Sequence, residues 1–251
     1  MAANLELVIA ERKNKTIYRD GDRCIKLFHE GFSKADILNE ALNQARVEDI
    51  GLHVPKILEV TLVEGKWAII SEFIEGKTLE QLMKEDPNDE KHYLDRFVEI
   101  QCAVLDKTCP LLNDLKIKMT RKISQADIDA TTRYELHTRL HGMPQEKHVC
   151  HGDFNPSNIL ITKAGEPYIL DWSHVTQGNA EADAARTYLL FCLAQNKTLA
   201  DKYLDTFCAN TEIKKRSIQK WMPIVAASQS VKGHEDEREF LLSWANVVEY
   251  Q

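Results

Sequence analysis

The chain has 251 residues, 43% of them hydrophobic, and a formal net charge of −7. That length buries a core as one large domain or as two lobes sharing a cleft, and the negative balance gives a nucleic-acid partner no bulk attraction. Only 10 glycines occur, below the usual share of about 7%, which argues against an all-β chain built on tight turns and favours long helices.

In chain order, residues 5–10 (LELVIA) and 16–18 (TIY) are β-prone, with the basic run Arg12-Lys13-Asn14-Lys15 between them. Asp20-Gly21-Asp22 signals a turn, and Arg23 to Phe28 reads as the next strand of a meander. Alternation puts Cys24, Lys26 and Phe28 on one face, where a lysine among apolar neighbours needs a partner to offset its lost hydration. Ser33 to Asp49 has helix character, with Ser33 as candidate N-cap and Ile37, Leu38, Ala41, Leu42 and Ala45 at helical spacing. Glu40 lies among these apolar positions. Residues 56–63 and 66–73 form a hairpin through Glu64-Gly65, and the second strand runs through Ser71 and Phe73 into an Ile74-Glu75-Gly76-Lys77 break.

From residue 78 the pattern is helical. Thr78 is placed to cap a helix over 79–84, and 91–106 carries Tyr93, Leu94, Phe97, Ile100, Val104 and Leu105 on one broad face. Ser124-Gln125-Ala126-Asp127 reads as a capping box opening a helix to about His141. Helices are also expected over 180–194, 199–209, 212–231 and 236–250. The six cysteines include no CxxC pair, which removes zinc-ribbon geometry. No apolar run approaches the ~20 residues of a membrane helix, and no cleavable apolar leader is visible. The expected setting is therefore a reducing cytoplasm with free thiols, without a membrane or nucleic-acid partner, as a monomer or weak dimer.

The chemistry is concentrated in residues 148–174, HVCHGDFNPSNILITKAGEPYILDWSH. Ile159-Leu160-Ile161 and Tyr168-Ile169-Leu170 are two short β-prone runs joined by the 163–167 turn. Polar side chains gather at the outer ends of this hairpin, which lie side by side in an antiparallel pair. Asn158 and Asp171 therefore share one end, with Asp153 on the loop leading in. Two carboxylates and an amide make a hard oxygen site suited to magnesium.

The spacing H-G-D-x-x-x-x-N, followed by a strand pair and Asp, matches the catalytic layout of protein-kinase-like phosphotransferases. His-Gly-Asp in place of His-Arg-Asp, and Asp171-Trp172-Ser173 in place of Asp-Phe-Gly, resemble the aminoglycoside phosphotransferase/choline kinase family. The resemblance implies an α+β, two-lobed fold: a β-rich nucleotide-binding lobe over 1–73, a hinge at 74–77, and a helical lobe over 78–251 that carries the catalytic hairpin. It implies ATP and Mg2+ as cofactors and a small-molecule acceptor, with a cationic one left open by the acidic runs 85–90 and 234–239. Asp153 would accept the proton of the acceptor hydroxyl, and Asn158 and Asp171 would hold the metal. Lys26, oriented by Glu40 or, failing that, by Glu48, would hold the phosphates. The Ser71 carbonyl and Phe73 N–H would face the adenine edge, and His151 and Asp183 would support the catalytic loop. The basic 12–15 loop lacks the G-x-G-x-x-G pattern of phosphate-covering loops, so its phosphate contacts stay unassigned.

Two other readings are open at this level. A metal-dependent hydrolase could use His148, His151, Asp153, Asp171 and His174 as ligands. A non-catalytic nucleotide-binding pseudokinase would retain the fold alone. The aromatics Trp221, Trp244 and Tyr250 could cage a quaternary ammonium or pack within the core.

Overall fold

The computed structural model describes residues 4–12, 14–231 and 235–245. The chain divides into two compact units, Met1–Pro87 with Pro156–His174, and Asn88–Asn155 with Val175–Gln251. The hairpin of residues 159–169, expected within the helical lobe, thus groups with the β-rich unit.

The first unit is built on a five-stranded antiparallel sheet in the order β1-β2-β3-β5-β4. Its strands are β1 (Leu7–Arg12), β2 (Lys15–Asp20), β3 (Arg23–Phe28), β4 (Ile57–Val63) and β5 (Lys66–Glu72), and the helix α1 (Lys34–Glu48) lies between β3 and β4 in sequence. Strand alternation sorts the sheet residues into two cores. Ile25, Leu27, Val63, Ala68 and Ile70 pack on one side, while Phe28 and Ile69 pack with Ile37 and Ala41 of α1 on the other. Ser33 does stand at the N-cap of α1, without a side-chain capping bond.

A second sheet in this unit has three strands in the order β6-β8-β9. It joins β6 (Gly76–Thr78) to β8 (Ile159–Thr162) and β9 (Pro167–Ile169), with α2 (Leu79–Glu85) following β6. Thr78 and Gln81 form a capping box at the start of α2, satisfying two backbone donors reciprocally. Gly76 is required by its neighbours: a Cβ there would lie 2.4 Å from the Ile161 carbonyl oxygen.

The second unit is helical, with α3 (Glu90–Leu105), α4 (Leu115–Gln125), α5 (Ala130–Gly142), α6 (Ala180–Leu193), α7 (Lys197–Thr211), α8 (Lys215–Ser230) and α9 (Glu235–Ala245). A two-stranded ribbon pairs β7 (His148–Cys150) with β10 (Thr176–Gly178). The buried rings of Phe97, Phe154, Phe191 and Tyr203 pack together in this unit, in tilted and edge-on pairs. The small residues Ala180, Ala182, Ala184 and Ala185 let α6 bury most of its surface.

The capping box expected at Ser124 is not used. Ser124 closes α4, its hydroxyl donating back to the Thr120 carbonyl oxygen. The next helix starts after Asp129, whose carboxylate accepts both the Thr131 and Thr132 N–H groups and so satisfies more orphan donors than Ser124 could. The expected helix over 212–231 starts three residues later, because Glu212 adopts a left-handed backbone (φ 58°) that ends α7. Residues 246–250 of the expected last helix lie outside the described residues. Among the described residues, no helix is long and apolar enough to cross a membrane.

Candidate active site

The charged centre of the first unit follows from the pleat of β3. Ile25 and Leu27 face one core, so Lys26 faces α1 alongside Phe28. On α1, Glu40 lies one turn from Ile37 and adjoins Ala41, and these three are buried. The two patterns meet: Lys26 Nζ is 2.5 Å from Glu40 Oε1. The same ammonium lies 3.7 Å from Asp171 Oδ1. Burial opposes the charge on Lys26, but Asp171 and then Glu40 outweigh it and raise its pKa above the ordinary lysine value.

Asp171 immediately follows the hairpin. Its backbone is left-handed (φ 61°), a conformation that strains most L-residues and recurs at functional sites. Register pairs Ile159 with Ile169, and Leu170 donates its N–H to the Asn158 carbonyl oxygen at 2.8 Å. Asn158 and Asp171 therefore lie at the same end of the finger, as the antiparallel arrangement requires. Burial would raise the Asp171 carboxyl, yet the Lys26 and Lys15 ammoniums hold it well below the usual carboxylate range. Lys15 Nζ is 2.8 Å from Asp171 Oδ2, a contact not read from the sequence.

These residues fit a hard divalent cation. Asp171 Oδ1 is buried and has no hydrogen-bond partner, leaving an ionised oxygen for a metal such as magnesium, with the Asn158 amide at the same end. Among the described residues, no three of the His, Cys, Asp and Glu side chains converge to hold a metal ion. The His/Asp ligand cluster of a metal-dependent hydrolase is therefore not assembled.

The candidate catalytic loop belongs to the second unit up to Asn155. Gly152 has φ 77°, the left-handed region where glycine alone is unstrained, which accounts for Gly between His151 and Asp153. The loop is held by one face of α6. Asp183 Oδ1 accepts the Gly152 N–H at 2.7 Å, Arg186 Nε donates to the Gly152 carbonyl oxygen at 3.3 Å, and Thr187 donates its hydroxyl to the Phe154 carbonyl oxygen. An Arg186 guanidinium nitrogen lies 3.7 Å from Asp153 Oδ1. His151 is fully buried, and its Nδ1 accepts the Asp153 N–H at 3.2 Å. The Asn155 side chain donates to the Asp153 carbonyl oxygen.

Behind this face runs a network that sequence reasoning missed. Gln101 Nε2 donates to Asp183 Oδ2 and to the Thr187 hydroxyl, and Gln101 Oε1 accepts from the Tyr203 hydroxyl. The signal was a single amide on the otherwise apolar face of α3. Burial pushes Asp183 up; the Gly152 N–H, His151, Gln101 and Arg186 oppose that only in part. Burial likewise lowers Arg186, against Asp153 and Glu237.

Other expected sites take different places. Phe73 donates its N–H to the Asp22 carbonyl oxygen at 2.8 Å, so that amide extends the β-pairing rather than facing a base. Its ring lies under the Arg19 guanidinium, 4.1 Å from the ring centroid. Ser71 is the penultimate residue of β5, opposite Cys24. Trp221 is buried in the core, Trp244 packs on Tyr188 and Phe240, and Tyr250 lies outside the described residues. Cys150 is buried with its thiol donating to the Asn179 carbonyl oxygen. Burial raises its pKa well above the ordinary thiol value, the opposite of an activated nucleophile.

A part-buried lysine paired to a helix carboxylate, with a charged aspartate closing a β-finger beside it, is the arrangement expected of a phosphotransferase of protein-kinase-like α+β fold. Residues 8–218 match the phosphotransferase enzyme family (APH), and the chain belongs to that family. This is the aminoglycoside phosphotransferase and choline kinase group that residues 148–174 resemble. The fold is similar to that of aminoglycoside phosphotransferase APH(4)-Ia, with a TM-score of 0.72 at 15% identity over 96% of this chain and 91% of the other. Choline kinase LicA from Streptococcus pneumoniae gives 0.64 at 14% identity over 96% and 91%. An aminoglycoside-3'-phosphotransferase of type VIII gives 0.62 at 15% identity over 87% and 92%. No curated protein matches the sequence.

Proposed function

We propose that this phosphotransferase moves the γ-phosphate of ATP to a hydroxyl of a small molecule, with Asp153 as base. The observation that carries the reading is the Lys26–Glu40 pair at 2.5 Å with Asp171 beside it, because it supplies an oriented cation and a charged oxygen ligand together. Similar proteins support the nucleotide: APH(4)-Ia has been crystallised with AMP-PNP and hygromycin B and LicA with AMP.

In this reading Lys26 grips the phosphates and Glu40 fixes its direction. Asn158 and Asp171 hold magnesium, which when bound neutralises charge on the phosphate oxygens. The Ser71 and Phe73 backbone groups lie in the ladder opposite Cys24 and Asp22, so neither is assigned to the adenine edge. Asp153 takes the hydroxyl proton as the acceptor oxygen bonds to the γ-phosphorus and the bond to the β–γ bridging oxygen breaks, releasing ADP. His151 and Asp183 keep the Asp153 loop in place. The acceptor belongs to the hydroxylated amino or sugar class that includes aminoglycosides and choline.

The test is ADP formation against choline, ethanolamine, aminoglycosides, homoserine, methylthioribose and fructosamines. One of these is expected to give acceptor-dependent turnover. Asp153→Asn should then bind ATP as the parent does and transfer no phosphate. Parental turnover by that variant removes Asp153 as base.

A further inference from the structure

The chain has no glycine-rich phosphate loop, yet its β1–β2 tip delivers a second lysine to the charged centre. Register places Lys15 opposite Phe28 and Ile17 opposite Lys26. Directly paired residues share a face, and so do residues two apart on one strand. Lys15 therefore lies on the same face of the sheet as Lys26. The two ammoniums divide one carboxylate between them, Lys15 at 2.8 Å from Asp171 Oδ2 and Lys26 at 3.7 Å from Oδ1.

Lys26 is matched by Glu40, which leaves Lys15 as the counter-ion of Asp171. Asp171 is held in a left-handed backbone and has one buried oxygen without a hydrogen bond. The Lys15 and Asp171 side chains retain 20% and 22% of their exposure, enough for a solute to reach both. An ammonium this close to Asp171 occupies the position that a divalent cation would claim there, and the two repel.

Resting on the function proposed above, we infer that Lys15 is an exchangeable phosphate-binding residue. It neutralises Asp171 in the empty enzyme and moves to the phosphates when the magnesium nucleotide binds. A side-chain cation thereby replaces the backbone amides of a glycine-rich loop. Lys15 also sets a threshold: the metal must displace it before the nucleotide is held.

Calorimetric titration of ATP over a range of Mg2+ concentrations tests this in the parent, Lys15→Met and Lys15→Gln. Both variants should lose roughly ten- to hundredfold in ATP affinity at saturating Mg2+, the worth of a charge-assisted hydrogen bond. They should also reach half-maximal binding at lower Mg2+ than the parent. A lysine that only paired with Asp171 would lower the magnesium requirement without costing ATP affinity at saturating Mg2+, so the loss of affinity is the discriminating readout. Parental affinity in cooperatively melting variants, or a magnesium requirement that is unchanged or raised, overturns the inference. In that case, magnesium-dependent ATP binding by the parent that is lost in Asp171→Asn leaves the proposed function standing. If the parent binds no nucleotide, both readings fall.

Discussion

Gly152 gives its N–H to Asp183 across 2.7 Å, linking the loop that carries Asp153 to a helix residue 31 positions later in the chain. Asp183 also accepts from Gln101. Asp183→Ala would strand two buried donors, each worth about 1–3 kcal/mol when left unpaired. The variant should melt well below the parent, and the 151–154 amides should exchange faster with deuterium. Gly152→Ala should cost at least about 1–2 kcal/mol, because the glycine's φ of 77° is left-handed.

Asp183 also makes a pH prediction. Its folded pKa is raised by burial, so the folded state binds its proton more tightly than the unfolded chain, where the group titrates near 3.9. The stability it confers is complete below that unfolded value and is lost as pH rises through the folded pKa. Asp183→Asn removes this titration. The denaturation free energy of the parent minus that of the variant should therefore fall with rising pH across the window and then level off. A flat difference would mean that the carboxyl is not raised.

Glu40→Gln leaves Lys26 in place but removes its partner at 2.5 Å. ATP affinity should fall by about tenfold, the equivalent of about 1.4 kcal/mol, with the fold retained. Lys26→Met should lose nucleotide binding altogether. Titration calorimetry separates the two outcomes.

Two glycines should respond in opposite directions to the same substitution. At Gly76 an added methyl would strike the Ile161 backbone and the Leu160 side chain; overpacking of this kind costs about 1–3 kcal/mol. At Gly142, the last residue of α5, an added Cβ meets nothing within 4 Å. Gly142→Ala should be stabilising by roughly 0.5–1 kcal/mol, from lower backbone entropy in the unfolded chain. Urea midpoints measure both.

The native protein should protect Cys150 from a thiol reagent at pH 8, because it is buried and its pKa is raised. Unfolding in denaturant should expose it. Rapid labelling of Cys150 in the folded state, read by peptide mass, would contradict the packing around β7.

The sequence made the covalently local parts of the site legible. Alternation along β3 put Lys26 on a face where it needs a partner, the family resemblance pointed to Glu40 on α1, and the two meet. The hairpin turn brings Asn158 and Asp171 to one end for the same reason, a fixed period over a short span. What escaped were contacts made across long separations by side chains without a periodic signature. Lys15 reaches Asp171 over 156 positions and Gln101 reaches Asp183 over 82. The Phe73 amide was misjudged because a strand's outer hydrogen bonds depend on which neighbour extends beside it, here Asp22. Ser124 lost its expected helix start to Asp129, a stronger cap five residues on.

The three-stranded sheet has a consequence for how the polypeptide is made. Strand β6 pairs with β8, which is synthesised some eighty residues later, and the β-rich unit draws on residues 156–174. A fragment ending at residue 87 would leave β6 without its neighbour and should not behave as an autonomous module. During translation at about 5–20 residues per second, the nascent amino-terminal portion waits, incomplete, until its missing finger has emerged from the ribosome.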